Sequence, residues 1–290
     1  MKRIVIVLLL VLVAGVVGIV RSSSQSGTVA ELRNLVSHDS QGDVREEIRR
    51  TVELTPGSTV EINGINGAVK IETSDSTTAE IYVERKASSA EALQRRKINV
   101  ETEGNLLRIS SEKVESGLLA RLFGSSGSEN ISLKLPRQIS LRTKGVNGSV
   151  LVGEITGSVD VRGVNGRVQI AGASGTADFK GINGNVTVGL KELERAGVSI
   201  SGINGNIELN LGPSLNADLD ANGMNGRVIS EIPGVNVEQY KHGKYSAVIG
   251  TGGNAISVKG INGNIRLTRT ATPVTASTGE AGATAKADSK

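Results

Sequence analysis

The chain has 290 residues with two Phe, three Tyr, no Trp and 37 Gly. That excludes a thick aromatic core and fits a fold made largely of corners around a thin aliphatic interior. Zero cysteines exclude disulfides, thiolate zinc sites, thiol nucleophiles and a lipobox lipid anchor, and a formal charge of +4 with so few aromatics excludes nucleic acid as a partner, since that contact needs a dense basic patch with stacking rings.

Lys2-Arg3 precede an uncharged apolar run from Ile4 to Val20, closed by Arg21. This predicts one N-terminal transmembrane helix over residues 1–21, a signal anchor. Val-Arg-Ser is a poor substitute for an Ala-x-Ala-like cleavage site, which favours an uncleaved segment. Lys2, Arg3 and the terminal amine outweigh Arg21, so the N-terminus stays in the cytoplasm and the body lies outside it.

Residues 22–45 read as a polar tether. Within it Val29, Leu32, Leu35 and Val36 have the spacing of one or two helical turns. Ile48, Val52 and Leu54 then enter the body, which spans 46–268, and Pro56-Gly57 makes a turn. An elaborated insertion occupies about 78–130. Ile81-Tyr82-Val83 reads as a strand and Ser88–Arg96 as a short helix with basic residues gathered at its end. Ile98–Val100 and Leu106–Ile109 read as a hairpin about Glu103-Gly104-Asn105. Leu118–Phe123 is an apolar stretch framed by glycines, read as a loop over the end of the core or as an exposed patch.

From there one phrase governs the chain. Gly-(Ile/Val/Met)-Asn-Gly stands at Gly64, Gly145, Gly163, Gly181, Gly202, Gly223 and Gly260, the copies from Gly145 onward stepping by 18, 18, 21, 21 and 37 residues. Five residues on stand Val69, Val150, Val168, Val186, Ile207, Val228 and Ile265, and apolar residues alternate with polar ones on both sides of the phrase. Such alternation makes short half-buried strands meeting at a tight corner. A fixed phrase at a nearly fixed period marks a repeat architecture. Glycines from Gly148 to Gly184 recur every nine residues, a second corner at the half-period. Asn66, Asn147, Asn165, Asn183, Asn204, Asn225 and Asn262 are structural corner residues, because asparagine bonds locally to the backbone. Stacking would bring them about 4.8 Å apart, where they can bond to one another.

Within the step of 37, Lys241-His242-Gly243-Lys244 stands in for a missing phrase, with Tyr245–Gly250 as the strand that follows it. After Leu267 the composition turns to Ala, Thr, Ser, Gly and Lys, so 269–290 is read as a disordered tail.

The seven Gly-Ile-Asn-Gly-like phrases, each followed by a short alternating strand, resemble two bacterial β-strand-repeat families, the head-GIN candidate adhesins and the toast-rack proteins. The resemblance covers about residues 48–268. It implies a solenoid-like stack of strands, an extracytoplasmic location and an adhesive or envelope role, and it supplies no catalytic residues.

No catalytic residue, cofactor or metal ligand is expected from the residues themselves. His38 and His242 lie far apart and have no cysteine to join them. A calcium nonapeptide would need a carboxylate at each turn, and Asp160, Gln169, Asp178, Thr187 and Glu208 alternate instead. Charge does collect in two columns before the phrase. Glu61, Asp160, Asp178 and Asp220 form the acidic one; Lys144, Arg162, Lys180 and Lys259 form the basic one. An ion-pair ladder is one reading. A ligand-contact row of Lys144, Arg162 and Lys180 is a second, and acid–base catalysis on this face is a third.

The expected fold is all-β, a β-solenoid of short strands with Gly-x-Asn-Gly corners behind a membrane anchor. The expected function is non-enzymatic: an extracytoplasmic, membrane-anchored adhesin or envelope structural or binding protein. Its partners would be the membrane, through the N-terminal helix, and an anionic envelope polymer or another envelope protein. The alternatives are a carbohydrate-active β-helix enzyme, which a cleft with close carboxylates would favour, and a regulatory partner in envelope-stress signalling.

Overall fold

A computed structural model describes residues 33–38 as backbone, and residues 44–113, 127–193 and 197–270, all within the unit Glu31–Lys290. The anchor over 1–21, the apolar stretch Leu118–Phe123 and all but the first two residues of the tail lie outside the described residues. Among the described residues no helix is long and apolar enough to cross a membrane.

The fold is all-β, with two eleven-stranded sheets. Strands β1 (Arg33–His38), β2 (Val44–Glu53), β3 (Thr59–Asn63) and β4 (Val69–Ser74) open it, the pair β3/β4 flanking the first corner. Next come β5 (Thr78–Ala87), helix α1 (Ala90–Gln94), β6 (Arg96–Glu103), β7 (Leu106–Lys113) and β8 (Gly127–Pro136). The regular array is β9 (Ser140–Val146), β10 (Val150–Ile155), β11 (Val159–Asn165), β12 (Val168–Ala173), β13 (Ala177–Asn183), β14 (Val186–Leu190), β15 (Val198–Asn204) and β16 (Ile207–Leu211). It ends with β17 (Ala217–Asn225), β18 (Val228–Ser230), β19 (Val237–Lys241), β20 (Lys244–Ile249), β21 (Asn254–Asn262) and β22 (Ile265–Arg269).

From β9 to β18 the chain passes alternately between the sheets. The strand entering each corner lies in the second sheet and the strand leaving it in the first. Successive entering strands pair in parallel without slip, Val159 with Ala177 and Ala177 with Val198. Residues two apart therefore face the same way in every coil. Val161, Phe179, Ile200, Val168, Val186 and Ile207 are all fully buried or nearly so, and one apolar cluster runs between the sheets. The second residue of each phrase, Ile65 through Ile261, is also buried, so each corner dips an apolar side chain into that core.

The phrase is spelled by its backbone. Its first glycine takes φ between +62° and +71° in all seven copies, a region that side chains with a Cβ rarely enter. The fourth glycine serves close approach: a Cβ on Gly166 would collide with the carbonyl of Gly148 in the coil below.

Three expectations are corrected. Residues 33–38 form a strand antiparallel to β2, where helical turns were expected; the edge that β2 offers sets the backbone there. Helix α1 stops at Gln94, short of the cluster of basic residues, because Arg96 opens β6 and pairs in register with Lys113. Lys241–Lys244 is a hairpin turn and no corner: β19 and β20 run antiparallel within the second sheet, and Tyr245, Ala247 and Ile249 cover the end of the core. The last coil also breaks chain order. β21 and β22 are inserted between the coil of β15/β16 and that of β17/β18, so the seventh phrase stacks ahead of the sixth.

Candidate functional site: the outward face of the second sheet

The corner asparagines form a continuous ladder along this side of the stack. Each side-chain amide donates to the side-chain carbonyl of the asparagine in the adjacent coil. Asn225 donates to Asn262 at 3.0 Å, Asn262 to Asn204 at 2.9 Å and Asn204 to Asn183 at 3.0 Å. Asn183 donates to Asn165 at 3.1 Å, Asn165 to Asn147 at 3.0 Å and Asn147 to Asn66 at 2.8 Å. Asn66 ends the chain on the Gly127 carbonyl at 2.6 Å. Aligned amide dipoles polarise one another, and the ladder holds the coils in fixed register.

That register places Lys144, Arg162 and Lys180 on adjacent strands β9, β11 and β13, directly opposite one another. All three are exposed. Strand spacing sets neighbours about 4.8 Å apart at the backbone. The structure thus brings the three row residues together, but their surroundings differ. Arg162 donates from Nε to Asp160 at 2.6 Å and from its terminal nitrogen to Asp178 at 2.8 Å. The hydrogen bond from Asp160 is the main reason its pKa lies above the usual value, with the charges of Asp160 and Asp178 adding to it. Lys144 and Lys180 make no ion pair among the described residues.

The acidic column is similarly engaged. Glu61 accepts from Arg108 at 3.0 Å and Arg142 at 3.4 Å, and Asp220 accepts from Asn222. A shallow groove of about 240 Å³ lies beside this column, lined by Arg142, Ser158, Asp160, Thr176, Asp178 and Ser199. Among the described residues no group of three or more His, Asp or Glu stands close enough to hold a metal ion.

A buried polar cluster escaped the sequence reading. Glu129, only 2% exposed, accepts from Arg96 at 3.0 and 3.3 Å and from the Ser111 hydroxyl at 2.9 Å. Arg96 also bonds the carbonyl of Gly64, and Arg85 binds Glu46 and the carbonyls of Leu93 and Arg96. This cluster closes the stack at its first corner. No local pattern could reveal it, because Arg96 and Glu129 are 33 residues apart and meet only through strand pairing.

No protein-family model matches the chain, and no curated protein matches it. Solved structures similar to it include three bacterial proteins. The first is a candidate cell adhesion protein from Clostridium sporogenes, 18% identical over 78% of this chain and 100% of that one, with a TM-score of 0.37. The second is a candidate adhesin from Bacteroides fragilis, 15% identical over 76% of this chain and 96% of that one, TM-score 0.31. The third is a candidate adhesin from Parabacteroides merdae, 11% identical over 77% of this chain and 96% of that one, TM-score 0.28.

Proposed function

We propose that the chain is a non-enzymatic β-solenoid of the head-GIN or toast-rack kind, exported and held at the membrane by residues 1–21, which presents a rigid polar face to an anionic polymer of the cell envelope. The observation that carries this reading is the unslipped parallel register of β9, β11 and β13, which sets Lys144, Arg162 and Lys180 in one exposed row. Several weak contacts to a repeating anionic polymer add through multivalency. The occupied carboxylates favour binding over glycan hydrolysis. Acid–base work needs free carboxyl groups on the substrate, whereas Arg162 bonds both Asp160 and Asp178. In this layout the body takes in β1 at Arg33 and runs to Arg269 at the end of β22, which shortens the tether after the anchor to residues 22–32.

The test replaces Lys144, Arg162 and Lys180 together with Gln and measures retention on an anionic glycopolymer. Wild-type retention falls as salt rises, because screening shortens the reach of exposed charges, and the triple variant is retained less at low salt. Unchanged retention with an intact fold reduces the row to a solubility device and overturns the reading. Release of reducing ends from the polymer would favour the enzyme instead.

A further inference from the structure

The cationic row extends beyond Lys180. Because β21 is inserted between β15 and β17, the register runs from Lys180 through Ser201 to Lys259, then through Asn222 to Lys244 and Lys241. From Lys144 to Lys241 the row crosses eight neighbouring strands. Seven strand spacings of about 4.8 Å make it roughly 34 Å long.

Each half has two acids in the neighbouring row, and the halves differ in whether the row's own cations hold those acids. Beside Lys144, Arg162 and Lys180 the next row inward along the strands holds Arg142, Asp160 and Asp178, with Arg162 tied to both acids. Beside Lys259, Lys244 and Lys241 the same row continues as Ser199, Ser257, Asp220, Ser246 and Glu238. Asp220 already accepts from Asn222. Lys241, Lys244 and Lys259 are exposed and make no ion pair among the described residues. Lys241 sits directly opposite Lys244 in an antiparallel pair, an arrangement in which like charges repel and cost stability. An anion seated between them turns that repulsion into attraction.

The same hairpin carries an aromatic ring. The register of β19 against β20 shifts between Gln239 and Lys241, leaving Tyr240 as the extra residue. Bulges of this kind re-aim a side chain. Tyr240 is 67% exposed, and its hydroxyl accepts from the Ser246 hydroxyl at 2.8 Å, which ties the tip of the ring to β20 two residues from Lys244. Among the described residues it is the one exposed aromatic side chain. A fixed apolar ring edged by cations matches a sugar ring that bears a negative charge.

We infer that the hairpin β19–β20 together with Lys259 is the gripping end of this face, and that its ligand is an anionic polysaccharide: acidic groups on Lys241, Lys244 and Lys259, a sugar ring stacked on Tyr240. The inference rests on the reading of this face as a polymer-binding surface and deepens it.

The full chain is tested for retention at low salt on two probes, a polyuronate and inorganic polyphosphate, the second anionic but without sugar rings. Lys241→Gln, Lys244→Gln and Lys259→Gln combined should lower retention on polyuronate by at least about tenfold, within the gain that linked weak contacts supply, and by more than the Lys144/Arg162/Lys180 triple. Tyr240→Ala should weaken retention on polyuronate and leave polyphosphate unchanged. Thermal melts check that each variant is folded. Loss confined to the Lys144/Arg162/Lys180 triple overturns this inference and leaves the polymer-binding reading standing, whereas no retention of the wild type on either probe overturns both. Unchanged retention of the end triple with new self-association overturns it too, assigning these lysines to guarding the edge strand β19.

Discussion

Asn183 donates its side-chain amide to the side-chain carbonyl of Asn165 at 3.1 Å, and Asn165 passes the same bond on to Asn147 at 3.0 Å. Asn165 is therefore both donor and acceptor, whereas Asn225 at the end of the ladder only donates along it, to Asn262. Asn165→Ala removes two hydrogen bonds and should cost about 1–3 kcal/mol, at roughly 1 kcal/mol per bond. Asn225→Ala removes one and should cost about half as much. Urea titrations of the two variants check the ranking, and equal midpoints would mean that the ladder contributes no cooperative support.

The strand alternation makes a sharper contrast. Val168 is fully buried between the sheets, while Arg167, one residue before it, is exposed. Val168→Asp buries an unpaired carboxylate and should cost several kcal/mol, of the order of 3–5 as for other uncompensated buried charges. Arg167→Gln should change stability by under about 0.5 kcal/mol. Similar thermal shifts for both would contradict the inward and outward assignment of β12.

Corners, strand polarity and core were legible because each is a local rule. A positive φ calls for glycine at Gly163, and the pleat forces Val161 and Arg162 to opposite faces. The row of Lys144, Arg162 and Lys180 follows from the same rule applied to three copies. The order of the last two coils was not legible. The phrases at Gly223 and Gly260 present equivalent buried residues, Met224 and Ile261, so the repeat itself does not say which of them stacks on β15. Tertiary pairing chose β21, and with that choice Lys259 became a neighbour of Ser201 instead of an outlier. The Arg96–Glu129 pair was hidden for a related reason: the non-repeating insertion lacks a period from which register can be read.

Acid titration should reveal the first sheet's ion pairs. Glu154 lies between Lys191 at 2.8 Å and Arg137 at 3.2 Å. The hydrogen bond from Lys191 is the main cause that holds its pKa below the usual carboxylate value; burial, the next largest effect, opposes it, and the charges of Lys191 and Arg137 add to the depression. A carboxyl depressed in the folded state contributes stability that is fully present above its unfolded value of about 4.3. That contribution is lost as pH falls through the lower folded-state value. Glu154→Gln should therefore lower the melting temperature near neutral pH and flatten its decline from about pH 5 to pH 3. Parallel melting curves for wild type and variant across that window would show that the three charges do not act on folding.

Thr143 is the one position where the inward row of the second sheet carries a hydroxyl among the copies. It stands in register between Ile62 and Val161, is 2% exposed, and its Oγ1 finds no hydrogen-bond partner among the described residues. Burying a hydroxyl without a partner costs about 1–3 kcal/mol by comparison with mutational data. Valine has nearly the same shape, and it occupies the equivalent position in the next coil as Val161. Thr143→Val should therefore stabilise the fold by about 1–2 kcal/mol, which for a body of this size raises the melting temperature by roughly 2–8 °C. Thr143→Ser keeps the hydroxyl and deletes the methyl, so it should lower stability below wild type. A valine variant less stable than wild type would mean that the hydroxyl is bonded in solution, through a trapped water between the sheets, and that the core at β9 is wetter than its neighbours. Because Lys144 follows on the same strand and faces the other way, polymer retention should be the same for Thr143→Val as for wild type. That equality separates the core's contribution from the outward row's, and a change in retention would show that the two faces of β9 are coupled.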